Sequence, residues 1–237
     1  AEAIYNYHLE QYKFSQLPNS KEIIIEHYKG EKNYLLVNSM YGRRVNDALS
    51  RALGFLMAQA GSRDIEIGVT DEGFYFAGEK LEIEKAFKLL NSKNLKEILT
   101  EAIEKTDILA RRFRHCATRS LMIIRTYKGK SKTVGKQQLK SHFLMAAVKK
   151  ISNKFPILNE ARREVLEDAM DIESTKKVLE QIENNLLKIK NINVSLPSPF
   201  TLHLIIQGHS DLIKIEDKQK FLKRMHELHM KAIGENT

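Results

Sequence analysis

Long apolar runs are missing from this 237-residue chain, which has one cysteine, no tryptophan and only four prolines. No stretch approaches the roughly 18 apolar residues of a bilayer span, so no transmembrane helix and no membrane partner are expected. The lone Cys116 excludes a disulfide framework and a multi-cysteine zinc site, and it suits a reducing, cytoplasmic setting. The opening AEAIYNYHLEQY lacks the basic-then-apolar layout of a secretory leader and also an initiator Met, as expected of a fragment or a processed product. Acidic residues are absent from one long stretch. Between positions 108 and 159 there is no Asp or Glu, yet 13 of the 39 basic residues lie there. The other 26 basic residues face 30 acidic ones, so the net charge of +9 belongs to this segment. Such a segment is a candidate polyanion-binding surface.

What is present describes a folded protein. Hydrophobic residues make up 42% and charged residues 29%, a balance that is neither disordered nor fibrous. Ala3 to Phe14 reads as a short helix, broken at Leu17-Pro18-Asn19-Ser20. Two β-rich runs, 22–28 and 33–38, flank Gly30-Glu31-Lys32 in hairpin fashion. Gly42 opens an amphipathic helix to about Ala60, with Val45, Leu49, Ala52, Leu53 and Leu56 on its stripe. Alternating Ile65, Ile67 and Val69, then Asp71-Glu72-Gly73 before Phe74, give a second hairpin. Beyond Leu81 the periodicity predicts helices near 82–91, 94–104, 106–126, 134–152, 157–170, 173–187 and 211–233, interrupted by one strand at 188–196. The fold class is α+β: a small antiparallel sheet in a ββαββ-like N-terminal part, packed with a larger helical C-terminal part. Residues 1–20 are expected as a residual linker helix. Residues 21–237 are expected as a single domain, with a sheet-rich lobe at 21–80 and a helical lobe at 81–237; a division near residue 105 is the alternative.

The 106–126 segment carries the most chemistry. On a helical wheel Arg111, Arg112, Arg114, His115, Arg119 and Arg125 share one side, opposite Leu109, Phe113, Cys116, Ala117, Leu121 and Ile124. Guanidinium forks match phosphate geometry and stack on bases, so this face suits a nucleic-acid backbone. It leads into a mobile basic loop holding Tyr127, Lys128, Lys130, Lys132 and Lys136, a composition that suits a single strand. The competing reading is a solvated face whose charges pair with the acidic helices at 160–187. A second candidate is Gly42-Arg43-Arg44 at a helix start, where free N–H groups favour phosphate. Ordinary strand-to-helix punctuation competes with it equally.

Several motifs fail. Gly129-Lys130-Ser131 echoes the end of a P-loop, but the partner glycine position is Ile124, and no other Walker A occurs. The pair His226 and His229 has no further placed ligand, so no metal site is expected. Cys116 lies on the apolar arc and reads as core. Glu164, Glu167, Asp168 and Asp171 follow helical spacing and read as a solvated face, so no catalytic residue is assigned.

The matching stretches run in order along the chain: Tyr41-Gly42-Arg43-Arg44-Val45-Asn46-Asp47-Ala48-Leu49-Ser50-Arg51-Ala52-Leu53, Arg111-Arg112-Phe113-Arg114-His115, Ile124-Arg125-Thr126-Tyr127-Lys128-Gly129, Val134-Gly135-Lys136-Gln137-Gln138, Phe155-Pro156-Ile157-Leu158, Glu164-Val165-Leu166-Glu167-Asp168 and Pro197-Ser198-Pro199-Phe200. In these the sequence resembles the DEAD/H-associated domain of archaeal large helicase-related (Lhr-type) superfamily-2 helicases. The resemblance implies an accessory domain that encloses single-stranded or forked DNA or RNA during ATP-driven 3′-to-5′ unwinding. It implies no cofactor in this chain, ATP and Mg in the parent's motor domains, and the motor and winged-helix domains as partners. Carried over by matching position, Arg43, Arg44, Arg111, Arg112, Arg114, Arg125, Lys128 and Gln137 are the expected strand contacts; the basic face and loop add Arg119, Tyr127, Lys130 and Lys132. A protein-interaction module and a nucleic-acid-processing enzyme are the alternatives, and the acid-free stretch argues against the latter.

Overall fold

Apolar runs that are too continuous for a half-exposed strand make the centre of the sheet. The computed structural model describes residues 2–30, 32–61, 64–131, 133–208, 223 and 226–231. In chain order these form α1 (Glu2–Phe14), β1 (Glu22–Lys29), β2 (Asn33–Asn38), α2 (Arg43–Gln59), β3 (Glu66–Val69), β4 (Gly73–Gly78), α3 (Ile83–Leu89), α4 (Leu95–Ile103) and α5 (Asp107–Arg119). Then come β5 (Thr126–Tyr127), β6 (Lys130–Ser131), α6 (Val134–Ile151), α7 (Pro156–Arg163), a π-helical turn (Glu164–Ala169), α8 (Ile172–Glu183), β7 (Lys188–Val194) and α9 (Pro199–Gly208). The helix expected at 211–233 falls mostly outside the described residues; 226–231 are helical. Two compact units result, one from 1–92 with 175–237 and one from 93–174.

The first unit holds a five-stranded sheet in the order β3-β4-β2-β1-β7. β1, β2, β4 and β3 pair antiparallel, with Ile25 opposite Val37 and Leu36 opposite Tyr75. β7 joins β1 in parallel, Glu22 opposite Lys188 and Tyr28 opposite Val194. The α+β expectation holds, but the sheet is mixed rather than antiparallel, because a distant strand completes it. Nor do the compact units follow the lobes drawn at 21–80 and 81–237, since that same strand carries the C-terminal part back to the sheet.

Alternation along the strands assigns the two faces. Tyr34, Leu36, Tyr75 and Ala77 pack with Leu204 and Ile205 of α9. On the opposite face lies α2, buried along Val45, Ala48, Leu49, Ala52, Leu53, Leu56 and Met57. A Cβ on Gly54 of that helix would sit 2.6 Å from the Ile67 side chain, so the bare glycine permits close helix–strand approach. Ser92, where the chain leaves this unit, donates from its backbone N–H and its hydroxyl to the carboxylate of Glu183.

A buried carboxylate fixes α9. Glu26 on β1 is fully buried, and its Oε2 accepts from Ser198 N–H at 3.1 Å and from the Thr201 hydroxyl at 2.6 Å. An anion at a helix start meets free N–H groups and the positive end of the dipole. The helix expected as a linker stub is also docked here: fully buried Gln11 of α1 accepts from Phe200 N–H, and the Tyr7 hydroxyl donates to the Pro199 carbonyl. His229 is buried against the Pro197 carbonyl and the Phe14 ring, whereas His226 is exposed. The histidine pair is therefore split, and among the described residues no metal-holding cluster exists.

The second unit is helical around Leu95, Leu99, Ile103, Leu109, Phe113, Cys116, Leu158, Ala161 and Val165, all buried. Cys116 is a core residue, as its place on the apolar arc indicated. Two helix predictions change. The 106–126 helix stops at Arg119, because Leu121 turns left-handed (φ 59°) and Ile123 N–H bonds back to the Ala117 carbonyl, burying Ile123. Leu121 and Ile124, expected in the core, are exposed. The 157–170 helix changes to a π turn at Glu164, which buries three consecutive residues, Glu164, Val165 and Leu166.

Thr201→Val removes one of the two described donors to Glu26 and leaves a buried carboxylate underbonded. The expected loss is about 2 kcal/mol of stability, read as a lower urea midpoint.

Candidate nucleic-acid interface

Six of the eight predicted contact residues with described side chains in the second unit lie on α5 or in the hairpin that follows it; Arg125 and Gln137 flank the hairpin. Asp107 starts α5, and its apolar positions Leu109, Phe113, Cys116 and Ala117 turn inward. That rotation leaves Arg111 and Arg119 exposed, with Arg112 and Arg114 half-buried. Two of these arginines are committed within the protein. Glu164, buried on the π turn, takes Arg119 Nη2 in a short hydrogen bond and Arg112 Nη1 at 3.8 Å. Arg119 Nη2 also donates to Cys116 Sγ at 3.3 Å. For this pair the competing reading, charges met by an acidic helix, is the one realised. Arg112 and Arg119 neutralise a buried charge, and breaking such a pair strands it.

The remaining basic residues differ. Among the described residues Arg111, Arg114, Arg125 and Lys130 make no ion pair. Arg114 and Arg125 are felt at His115, whose pKa is lowered by desolvation first and then by Arg114, Arg125, Arg112 and Arg119. Burial and nearby positive charge both disfavour the imidazolium form.

The loop expected to be mobile is an ordered hairpin. Thr126 pairs with Ser131 and Tyr127 with Lys130 across a two-residue turn. Lys128 (φ 48°) and Gly129 (φ 72°) both take left-handed backbone, the pattern of a type I′ turn, which only glycine adopts freely. Lys128 and Lys130 thereby lie at the tip of the hairpin, both exposed. Lys132 lies outside the described residues, and Gln137 is half-buried in the first turn of α6.

Between α5 and α6 lies a polar cleft of about 220 Å³, lined by Asp107, Ala110, Arg111 and Arg114 from one helix and Gln138, Ser141 and His142 from the other. Gln138, Ser141 and His142 were missed in the sequence reading. Their signal is spacing: 138, 141 and 142 on one helix and 107, 110, 111 and 114 on the other each follow one helical face. A basic-residue count passes over a glutamine and a serine.

Arg43 and Arg44 belong to the first unit, so the structure does not gather all the predicted residues onto one body. Gly42 (φ 83°) turns the chain into α2, and Arg43 N–H donates to Asp71 Oδ1 at 3.2 Å. Asn46 Nδ2 donates to the Thr70 and Asp71 carbonyls. An aspartate therefore meets the helix start where a phosphate was considered, while the Arg43 and Arg44 side chains are exposed.

A family profile described as DEAD/H associated matches residues 17–201. The chain belongs to that family. The ATP-dependent helicase Lhr-Core of Methanothermobacter thermautotrophicus is 45% identical to this DEAD/H-associated domain over 230 residues, which is 96% of this chain and 27% of that protein. The Lhr helicase/uracil glycosylase of Escherichia coli is 25% identical over 195 residues, 80% of this chain and 12% of that one. The structure of Mycobacterium smegmatis helicase Lhr bound to ssDNA and AMP-PNP superimposes with a TM-score of 0.75 at 25% identity, over 85% of this chain and 26% of that one. The DEAD/H-associated domain thus spans about a quarter or less of the length of these relatives. It is an associated domain of Lhr-type helicases, and no helix among its described residues is long and apolar enough to cross a membrane.

Two outcomes are expected. Glu164→Gln removes the buried charge and leaves Arg112 and Arg119, both solvent-accessible, without their anion; the expected loss is about 1 kcal/mol of stability, measured by chemical denaturation. Arg114→Met removes the largest of the charge effects on His115 and raises its titration midpoint toward the ordinary histidine value, followed by ring-proton NMR.

Proposed function

We propose that this domain is a non-catalytic strand-binding module of an Lhr-type helicase. In this reading it holds single-stranded or forked nucleic acid while motor domains elsewhere in the parent hydrolyse Mg-bound ATP and translocate 3′ to 5′. The observation that carries it is the row Arg111, Arg114, Arg125 and Lys130, unpaired among the described residues, within a stretch that holds no acidic residue. Unpaired guanidinium and ammonium groups on a helix and hairpin are hydrated cations whose release of strand counterions drives binding. The relative solved with ssDNA supports the ligand class, and the relatives named as ATP-dependent helicases support the setting. Motor and winged-helix domains of the same polypeptide are the partners in this reading, and the compartment is the cytoplasm.

A second reading, docking on the rest of the helicase, is favoured by one feature of α6. Leu139, Phe143 and Ile151 lie within about 120° on that helix and are 59%, 70% and 73% exposed.

Fluorescence anisotropy of a labelled single strand against the 237-residue chain at several salt concentrations separates the two. The strand-binding reading requires a log–log slope of about −3, from four or five phosphate contacts at about 0.7 each. Arg125→Glu/Lys128→Glu/Lys130→Glu is expected to abolish binding at moderate salt. Absence of wild-type binding even at low salt would overturn this reading in favour of docking.

A further inference from the structure

The α5–α6 cleft holds more than exposed charge. Ser141 is only 4% exposed, yet it lines the cleft, and its hydroxyl makes no hydrogen bond among the described residues. The hydroxyl oxygen is not among the buried unpartnered atoms, so it opens to cleft water, which a ligand oxygen can replace. Around it the lining supplies the Arg111 and Arg114 guanidiniums, the Gln138 amide and the His142 imidazole, against one carboxylate, Asp107. Donors outnumber acceptors, so the complementary ligand is an acceptor-rich anion. Counted over the arginines and the aspartate, two guanidinium charges less one carboxylate leave a single positive charge. That balance matches the single negative charge of an internal phosphodiester rather than a terminal phosphate, which carries nearly two.

Size narrows the ligand further. A cleft of about 220 Å³ has room for on the order of seven waters. It falls below the roughly 300–1,000 Å³ of pockets that engulf a drug-sized molecule. A phosphate with its ester oxygens fits, whereas a whole nucleotide with sugar and base does not.

We propose that the α5–α6 cleft is the seat for one phosphodiester group of the bound strand, with Arg111, Arg114, Gln138 and Ser141 as donors and Asp107 as the carboxylate that weakens the seat. This rests on the strand-binding reading and gives it a register point: one phosphate is fixed here while the hairpin tip meets others along the strand. Asp107 limits the affinity of the seat, as a strand that must slide requires.

The probe is dTpT, which carries one phosphodiester and no terminal phosphate, titrated into the whole chain and followed by backbone-amide NMR. The expected result is shifts concentrated at Arg111, Arg114, Gln138, Ser141 and His142. Ser141→Ala and Gln138→Ala are expected to weaken dTpT several-fold, and Asp107→Asn to tighten it about threefold. These opposite signs are not what loss of packing would give. Ser141→Ala removes a single hydroxyl, so folding is retained in at least one variant. Shifts elsewhere or nowhere, or unchanged affinity in Asp107→Asn, would overturn the seat. If a longer strand then still binds with a steep salt slope, the seat alone falls. If dTpT maps to the cleft while the longer strand does not bind, the seat stands and the wider strand-binding reading falls.

Discussion

Everything in the first unit depends on the return of the chain to β1. β7 pairs in parallel with β1, and Glu26 of β1 reaches Ser198, 172 residues later, to hold the start of α9. Closing so long a loop costs conformational entropy that the ladder, the Glu26 hydrogen bonds and the Tyr34–Leu36–Tyr75–Leu204 cluster must offset together. The consequence is topological. Residues 93–174 form a unit that the chain enters and leaves, an insertion between two segments of one sheet domain. An inserted helical unit can carry a ligand-binding face without supplying any side chain to the sheet core.

Within that inserted unit, a single buried anion sorts the arginines. Glu164 is placed inward by a π turn and captures Arg112 and Arg119, which fixes α5 against the end of α7. Glu104 does similar work with Lys149 and Arg162: burial pushes its pKa up, but the hydrogen bonds from those two cations outweigh it and hold the carboxyl below its ordinary value. Both carboxylates sit just outside the acid-free stretch. From that stretch they pair with Arg112, Arg119 and Lys149, while Arg111, Arg114, Arg125 and Lys130 make no ion pair among the described residues, so basic residues close in sequence perform two unrelated tasks.

Much of the architecture was legible beforehand. The β-rich runs of β1 and β2, the alternation before the second hairpin and the apolar stripe of α2 gave the sheet and its covering helix, because such patterns are local. The α5 stripe was legible for the same reason, and Cys116 fell where its periodicity put it. What failed was end-point and partnership. Nothing in Ser120-Leu121-Met122-Ile123 marks a left-handed residue, because Leu rarely adopts one; it is the burial of Ile123 that ends the helix there. The strand at 188–196 was visible, but its parallel pairing was not, since pairing direction is set by a strand 166 positions away in register, Glu22 with Lys188.

By itself the sequence determined the positive segment, the amphipathic elements and the family, since charge count, period and ordered motifs are properties of the string. Only the tertiary structure decided which charges remain available. Arg112 and Arg111 are neighbours with the same chemistry, yet one meets a carboxylate brought close by folding and the other lines a cleft. Arg119 and its partner Glu164 are 45 residues apart in the chain. An ion pair of that separation exists only once the helices pack, so no local pattern reports it. The same holds for Gln138 and Ser141, whose roles arise from the helix across from them and not from their neighbours in sequence.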